Sequence, residues 1–350
     1  MSPDTFPLLP TARSLLLPLA ACALLACGRA ESRADAPSEA AIQGEYLGRL
    51  ENGDALGAHV IALGQGRFQA VFYPGGLPGA GWEGGERFAL DGRMEGDRAV
   101  FAPHEGRKTY MARAPEQFSA LREPPERQPD GEASIEGGRM TGRIPAGPFG
   151  LERVVRKSPT LGAKPPEGAL VLFDGTDAEA WEGGRMDDDG NLIGGARSRR
   201  QFQSFRAHIE FMTPLRPAAR GQGRANSGVY IQDRYEVQVL DSFGLEGLAN
   251  ECASIYARAA PSVNMCLPPL QWQTFDIDFE APQFDEDGKK TRNAVLTLDW
   301  NGVRVFDGHE IPRVTGGARG REGEPGALYL QAKSRDVLYR NIWVIEKETP

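Results

Sequence analysis

The chain has 350 residues, including 43 Gly and 26 Pro, and its 40 Lys plus Arg against 48 Asp plus Glu leave a net charge of −8. That acidic balance, with no basic cluster beyond short Arg pairs, argues against nucleic acid as a partner. The length suffices for two domains, and many turn formers with few long helical patterns predict an all-β, loop-rich protein.

At the N-terminus, Arg13 precedes the apolar stretch 14–27, which is too short to span a bilayer comfortably and fits the core of a signal peptide. Leu24-Leu25-Ala26-Cys27 resembles the lipobox of bacterial lipoproteins, whose Cys becomes the lipidated first residue. Leu19-Ala20-Ala21-Cys22 also matches but leaves a very short apolar region, so Cys27 is the favoured lipidation site and a plain secretory signal the alternative. Residue 29 is Arg, where an Asp would point to retention in the inner membrane. With no second apolar span, residues 1–27 predict an exported lipoprotein that meets the membrane through its lipid alone, at the outer membrane facing the periplasm or at the cell surface. Residues 28–40 are small, charged and aperiodic, as expected of a flexible tether.

Residues 41–156 read as a small all-β domain. Candidate strands are Glu45–Leu50, Ala58–Leu63, Arg67–Tyr73, Glu86–Leu90, Arg98–Ala102 and Leu151–Arg156, spaced as in a sandwich or barrel. The Gly-rich run 74–82 lacks the following helix and the Lys-Ser/Thr of a phosphate loop, so it reads as a structural turn carrying Trp82. Residues 114–134, rich in Pro, Glu, Arg and Gln, predict a long surface loop. The prolines of 157–168 mark a linker, since paired prolines continue neither a helix nor a ladder.

From 169 to 349 the pattern is again short strands. Asn301-Gly302 between Val295 and Val305 predicts a hairpin with a type I′ turn, and Asp285–Lys290 a polar turn. Val229–Gln232 and Tyr235–Leu240 flank Asp233-Arg234, which predicts a second tight hairpin. Alternation puts Tyr235, Val237 and Val239 on one face and Glu236 and Gln238 on the other, with Asp241 just beyond. His208 and Glu210 likewise alternate with Ile209 and Phe211. Carboxylates and amides that bind hydroxyls, with aromatic faces for sugar rings, are what a saccharide site on a sheet needs. Glu236, Gln238, Asp241 and Glu210 are therefore the candidate catalytic residues. His208, Arg224, Asn226, Tyr230, Tyr256, Gln331 and Lys333 are the candidate substrate contacts. Cys252 and Cys266, with 13 residues between them in an exported chain, predict a loop-closing disulfide worth roughly 3 kcal/mol, with metal ligation as the alternative. The scattered His59, His104, His208 and His309 suggest no zinc site. Glu210, Glu236 and Asp241 together would suit a hard divalent cation better.

The C-terminal half resembles the 3-keto-disaccharide hydrolase family. The resemblance rests on pieces in order: Val171–Thr176 with Trp181, His208–Phe211, Asn226-Ser227-Gly228, Tyr235–Asp241, Ile255-Tyr256 with Pro261 and Asn264, Trp272-Gln273-Thr274, Asn301-Gly302-Val303, Leu330-Gln331 and Tyr339–Ile342. It implies a concanavalin-like jelly-roll sandwich preceded, as in a subset of the family, by a β extension. The chemistry it implies is cleavage of 3-keto-glycosides. A ketone at C3 acidifies the C2 proton, a base removes it, the glycosidic oxygen leaves C1 by β-elimination, and water adds to the product. A base, an enolate-stabilising cation or donor, and an acid are needed. Glu236 or Asp241 would be the base, Arg224, Lys333 or a divalent ion would face the enolate, and His208 is a candidate acid. Two departures stand out. Leu330-Gln331-Ala332-Lys333-Ser334 stands where the family has Leu-Gln-Asp-His-Gly, and Cys252-Ala253-Ser254-Ile255-Tyr256 carries bulk where the family has glycines. They imply a shifted substrate, or a carbohydrate-binding lipoprotein that keeps the fold without the catalysis.

Overall fold

The computed structural model describes residues 39–104 and 106–348. The signal segment 1–27 with Cys27, and the tether as far as residue 38, lie outside the described residues. The tether ends in a single helical turn, Glu39–Ile42. Among the described residues no helix is long and apolar enough to cross a membrane.

Eight antiparallel strands follow: β1 (Gly44–Leu50), β2 (Ala55–Gly64), β3 (Arg67–Pro74), β4 (Phe88–Glu95), β5 (Arg98–Ala102), β6 (Glu132–Glu136), β7 (Arg139–Ile144) and β8 (Gly147–Val154). Each pairs with the next in sequence, and β8 returns to β1, closing an up-and-down barrel. Eight strands enclose a space just wide enough for side chains. Small residues such as Ala58, Ala62 and Ala70 alternate with Tyr46, Phe68 and Phe72 to fill it. The expected loop 114–134 overruns the start of β6, and neither β6 nor β7 is among the sequence-based strands. Both strands bury only every second side chain or fewer, so the apolar signal is weak.

β2 is buried almost along its whole length. Ala58, Val60 and Ala62 enter the barrel, while Ile61 and Leu63 point outward and join a second apolar cluster with the C-terminal half. With both faces covered the strand loses its alternation and reads as a continuous apolar run.

That half is a sandwich. Its strands are β9 (Leu170–Phe173), β10 (Trp181–Glu182), β11 (Leu192–Ile193), β12 (Ala196–Phe202), β13 (Phe205–Met212), β14 (Ser227–Ile231), β15 (Tyr235–Val239), β16 (Trp272–Glu280), β17 (Ala294–Trp300), β18 (Val303–Ile311), β19 (Gly326–Leu330) and β20 (Leu338–Glu346). One sheet runs β9-β20-β13-β16-β17-β18, with β11 also on β20. The other runs β10-β12-β19-β14-β15. Ile209, Phe275 and Leu298 from the first face Val229, Val237 and Leu330 from the second in one core. The β17–β18 turn has Asn301 at φ 52° and Gly302 at φ 80°, as its sequence requires. The β14–β15 turn is displaced by one residue from the expected Asp233-Arg234. The left-handed residues are Gln232 (φ 53°) and Asp233 (φ 60°). Arg197 grips the Asp233 carboxylate at 2.6 and 2.9 Å, and the Gln232 amide bonds the carbonyls of Phe202 and Gln203, which holds this uncommon conformation.

Cys252 and Cys266 are neighbours but carry no disulfide; both are free, buried thiols. Burial pushes the Cys266 thiol up, and its S–H is directed at the carbonyls of Leu267 (3.5 Å) and Leu240 (3.8 Å). The loop that the bond would close is already held by Asn264, whose amide donates to Ser242 O at 2.8 Å and Leu245 O at 3.0 Å.

Candidate active site

Register decides which polar side chains meet. Tyr230 lies opposite Glu236, and Gly228 opposite Gln238, on β14 and β15. Their core-facing neighbours Val229, Val237 and Val239 are fully buried, so Tyr230, Glu236 and Gln238 point to the outer face of the five-stranded sheet. There they floor a cavity of about 270 Å³ completed by Asn226, Tyr256, Gln331, Lys333, Gly316 and Gly317. Ligand cavities typically start near ~300 Å³, so this one suits a single ring rather than a run of sugars.

Glu236 is the cavity's one carboxylate. Gly228 makes room for it, since a Cβ there would collide with the carboxylate. Its backbone is pinned by Thr315, whose hydroxyl accepts from the Glu236 N–H at 2.9 Å and donates to Arg234 O at 3.0 Å. Burial pushes the carboxyl up to about 7, against the opposing pull of the Tyr230 hydrogen bond and the Lys333 ammonium. Tyr230 Oη lies 2.8 Å from Glu236 Oε2 and 2.9 Å from Gly316 O, and accepts from Gln331 Nε2 at 3.2 Å. One phenolic proton serves both states of the acid. It goes to Glu236 when that group is ionised, and to Gly316 O when Glu236 is protonated and donates in turn. Lys333 is exposed, lines the same cavity and acts on the Glu236 carboxyl by charge across it. Gln222 ties the floor together, accepting from Asn226 Nδ2 at 2.6 Å and sitting 2.8 Å from the Gln238 amide.

Of the residues expected from sequence, Glu236, Gln238, Asn226, Tyr230, Tyr256, Gln331 and Lys333 therefore line one cavity. Four others do not. Asp241 and Arg224 form an ion pair at 2.7 Å in which both side chains are fully buried. β15 ends at Val239, so alternation no longer governs where Asp241 points, and the chain turns it inward onto Arg224. Neither can reach a substrate. His208 and Glu210 lie on β13 in the opposite sheet. Glu210 accepts from Gly162 N (2.5 Å), Arg340 Nε (2.7 Å) and Asn341 Nδ2 (2.9 Å), while His208 bonds Asp276 at 2.6 Å and stacks on Trp343 at 5.4 Å. The linker crosses above them, with Thr160 Oγ1 donating to Asp276 at 2.6 Å. Burial opposes charge on both groups, but their hydrogen bonds outweigh it and hold His208 up to about 9 and Glu210 down to about 2. This cluster seats the linker, and His208 is not the acid of the cavity.

Glu210, Glu236 and Asp241 thus stand in three separate places and cannot share an ion. Among the described residues no group of three His, Cys, Asp or Glu could hold one. A larger groove of about 670 Å³ crosses the outer face of the other sheet. Its aspartates are already matched, Asp278 by Lys347, Asp299 by Arg304 and Asp276 by His208, as on an ordinary solvated sheet. Gln222, Thr315, Gly316 and Gly317 had no signal in the sequence beyond their Gly-rich surroundings: the last three reach the site from a distant loop, and Gln222 from an irregular turn before β14 where no periodicity aims its side chain.

Residues 168–345 match the model of the 3-keto-alpha-glucoside-1,2-lyase-like domain family, over half of the chain. The chain belongs to this family. Among solved structures, a candidate glycosyl hydrolase from Parabacteroides distasonis is 30% identical, covering 52% of this chain and 85% of its own, with a TM-score of 0.45. A second candidate glycosyl hydrolase from that organism is 16% identical over 52% of this chain and 95% of its own, with a TM-score of 0.38. No curated protein matches the chain. A glycoside-acting hydrolase or lyase domain on an all-β framework is the class this lyase-like family assigns.

Proposed function

We propose that the cavity over β14 and β15 cleaves 3-keto-glucosides by elimination, with Glu236 as the base. The carrying observation is a lone carboxyl held at about 7 by burial in a cavity of one-ring size. A base works best when its pKa lies near the working pH. Ionised Glu236 takes the C2 proton, and the C2–H electron pair passes into the enolate of the C3 ketone. Lys333, the cation in the cavity lining, faces that developing charge. The C1–O bond then breaks, and the departing oxygen collects the proton now on Glu236, leaving a 2-hydroxyglycal with a C3 ketone. Addition of water across its double bond gives the free 3-keto sugar.

The test is release of nitrophenol from a nitrophenyl 3-keto-glucoside, with Glu236→Gln beside the wild-type protein. Release that Glu236→Gln abolishes supports the proposal. Binding without turnover would favour a carbohydrate-binding role, and cleavage of the unoxidised glucoside a conventional hydrolase. The sequence features at the N-terminus support attachment to the cell envelope by a lipid on Cys27. Loss of fatty-acid labelling in Cys27→Ser would bear that out, and unchanged labelling would refute it.

A further inference from the structure

One loop ties the N-terminal half to the edge of the sheet that carries the cavity. After β15 the chain runs against the barrel's outer surface, where the Phe243 ring stacks on His59 at 4.5 Å. Glu246 accepts from the Arg87 guanidinium at 2.5 Å and from the Arg122 backbone N–H at 2.9 Å. Tyr110 donates its hydroxyl proton to one oxygen of Glu251, whose other oxygen caps the amides of Gly247 (2.6 Å) and Leu248 (2.9 Å). Immediately beyond Glu251 the chain turns back along the free edge of β15. Ala253 N–H donates to Gln238 O at 2.8 Å, Gln238 N–H to Ser254 O at 2.9 Å, and Tyr256 N–H to Glu236 O at 3.0 Å.

β15 is the edge strand of its sheet, with β14 alone beside it. An edge carries unpaired backbone groups and frays unless something covers it. Here Thr315 covers the start of the edge, at Arg234 and the Glu236 N–H, and residues 253–256 cover the rest, rooted at Glu251, which Tyr110 of the N-terminal half holds. We propose that Tyr110 and Glu251 are positioning residues of the site: the barrel fixes the loop root, and the loop fixes the strand bearing Glu236 and the Tyr256 wall. The N-terminal half thereby gains a role in the chemistry without touching the substrate. The kinetic part of this inference rests on the proposed activity, and its structural part does not.

The experiment uses the full chain with Tyr110→Phe and, separately, Glu251→Gln. Hydrogen exchange is followed at the amides of Gln238, Ala253 and Tyr256, with β16 and β17 of the other sheet as internal reference. The expected result is exchange at least tenfold faster at those three amides in either variant, with the reference unchanged. In a wild type that turns over the 3-keto-glucoside, kcat should fall by more than KM rises. Unchanged exchange at the three amides in both variants, or an equal rise everywhere, overturns the inference, as does faster exchange with kcat intact. A wild type inactive on the 3-keto-glucoside sinks the proposed activity and leaves the exchange result to decide the positioning role.

Discussion

Tyr230 and Glu236 face each other across adjacent strands, and the phenol sits 2.8 Å from the carboxylate that burial has pushed up to about 7. The tyrosine favours the ionised form of Glu236 and so opposes that rise. Tyr230→Phe should move the lower limb of the pH–rate profile upward by about one to two units, the loss of one hydrogen bond to a charged group at ~1.4 kcal/mol per unit. A limb that stays in place or moves down would show that the two groups are not linked.

Glu236 also leaves a mark on stability. Its folded pKa is raised from 4.5 to about 7, so its contribution is fully present below about pH 4.5 and is lost as pH rises through 7. Glu236→Gln removes the buried charge, and at pH 8 the variant should be more stable than wild type by up to about 3 kcal/mol, with little difference at pH 4.5. Urea titrations at the two pH values test this. An equal effect at both would mean that the carboxyl titrates normally.

Gly228→Ala should displace the Glu236 carboxylate, because the added Cβ occupies its place. Activity should fall at least tenfold, about 1.4 kcal/mol or more of transition-state stabilisation, with the melting point changed by a few degrees at most. Full activity in a folded Gly228→Ala variant would show that Glu236 does not need that position.

The linker cluster has its own pH signature. His208 is raised from 6.5 to about 9, so its contribution is complete below about pH 6.5 and disappears as pH rises through 9. The gap between wild type and His208→Gln, up to about 3 kcal/mol at pH 6, should close by pH 10. Chemical denaturation at several pH values measures it, and a gap independent of pH would assign the loss to packing on Trp343 rather than to charge.

Much of this site was legible because strand alternation is local. Glu236 and Gln238 share a face in any strand that buries Val237 and Val239, and Asn301-Gly302 specifies its turn wherever it sits. The same rule failed at Asp241, two residues past the end of β15, where no pleat remains to aim the side chain. It was right that His208 and Glu210 share a polar face, but alternation cannot say which sheet that face belongs to, or that residues 158–163 lie across it. The disulfide expected from Cys252 and Cys266 rested on spacing and compartment. Spacing brought the sulfurs together, but the carbonyls of Leu240 and Leu267 receive the Cys266 thiol. Asp233-Arg234 looked like the better turn pair by composition, and tertiary bonds from Arg197 moved the turn one residue earlier.

β2 gives one row of side chains to the barrel and the next to the sandwich. A strand with two masters cannot be traded away singly: Ile61 and Leu63 answer to one half, Val60 and Ala62 to the other. Gene shuffling that swapped either half for a foreign partner would strip apolar surface bare on both. In a chain that carries both halves, substitutions on one side of β2 should therefore be met by substitutions on the other.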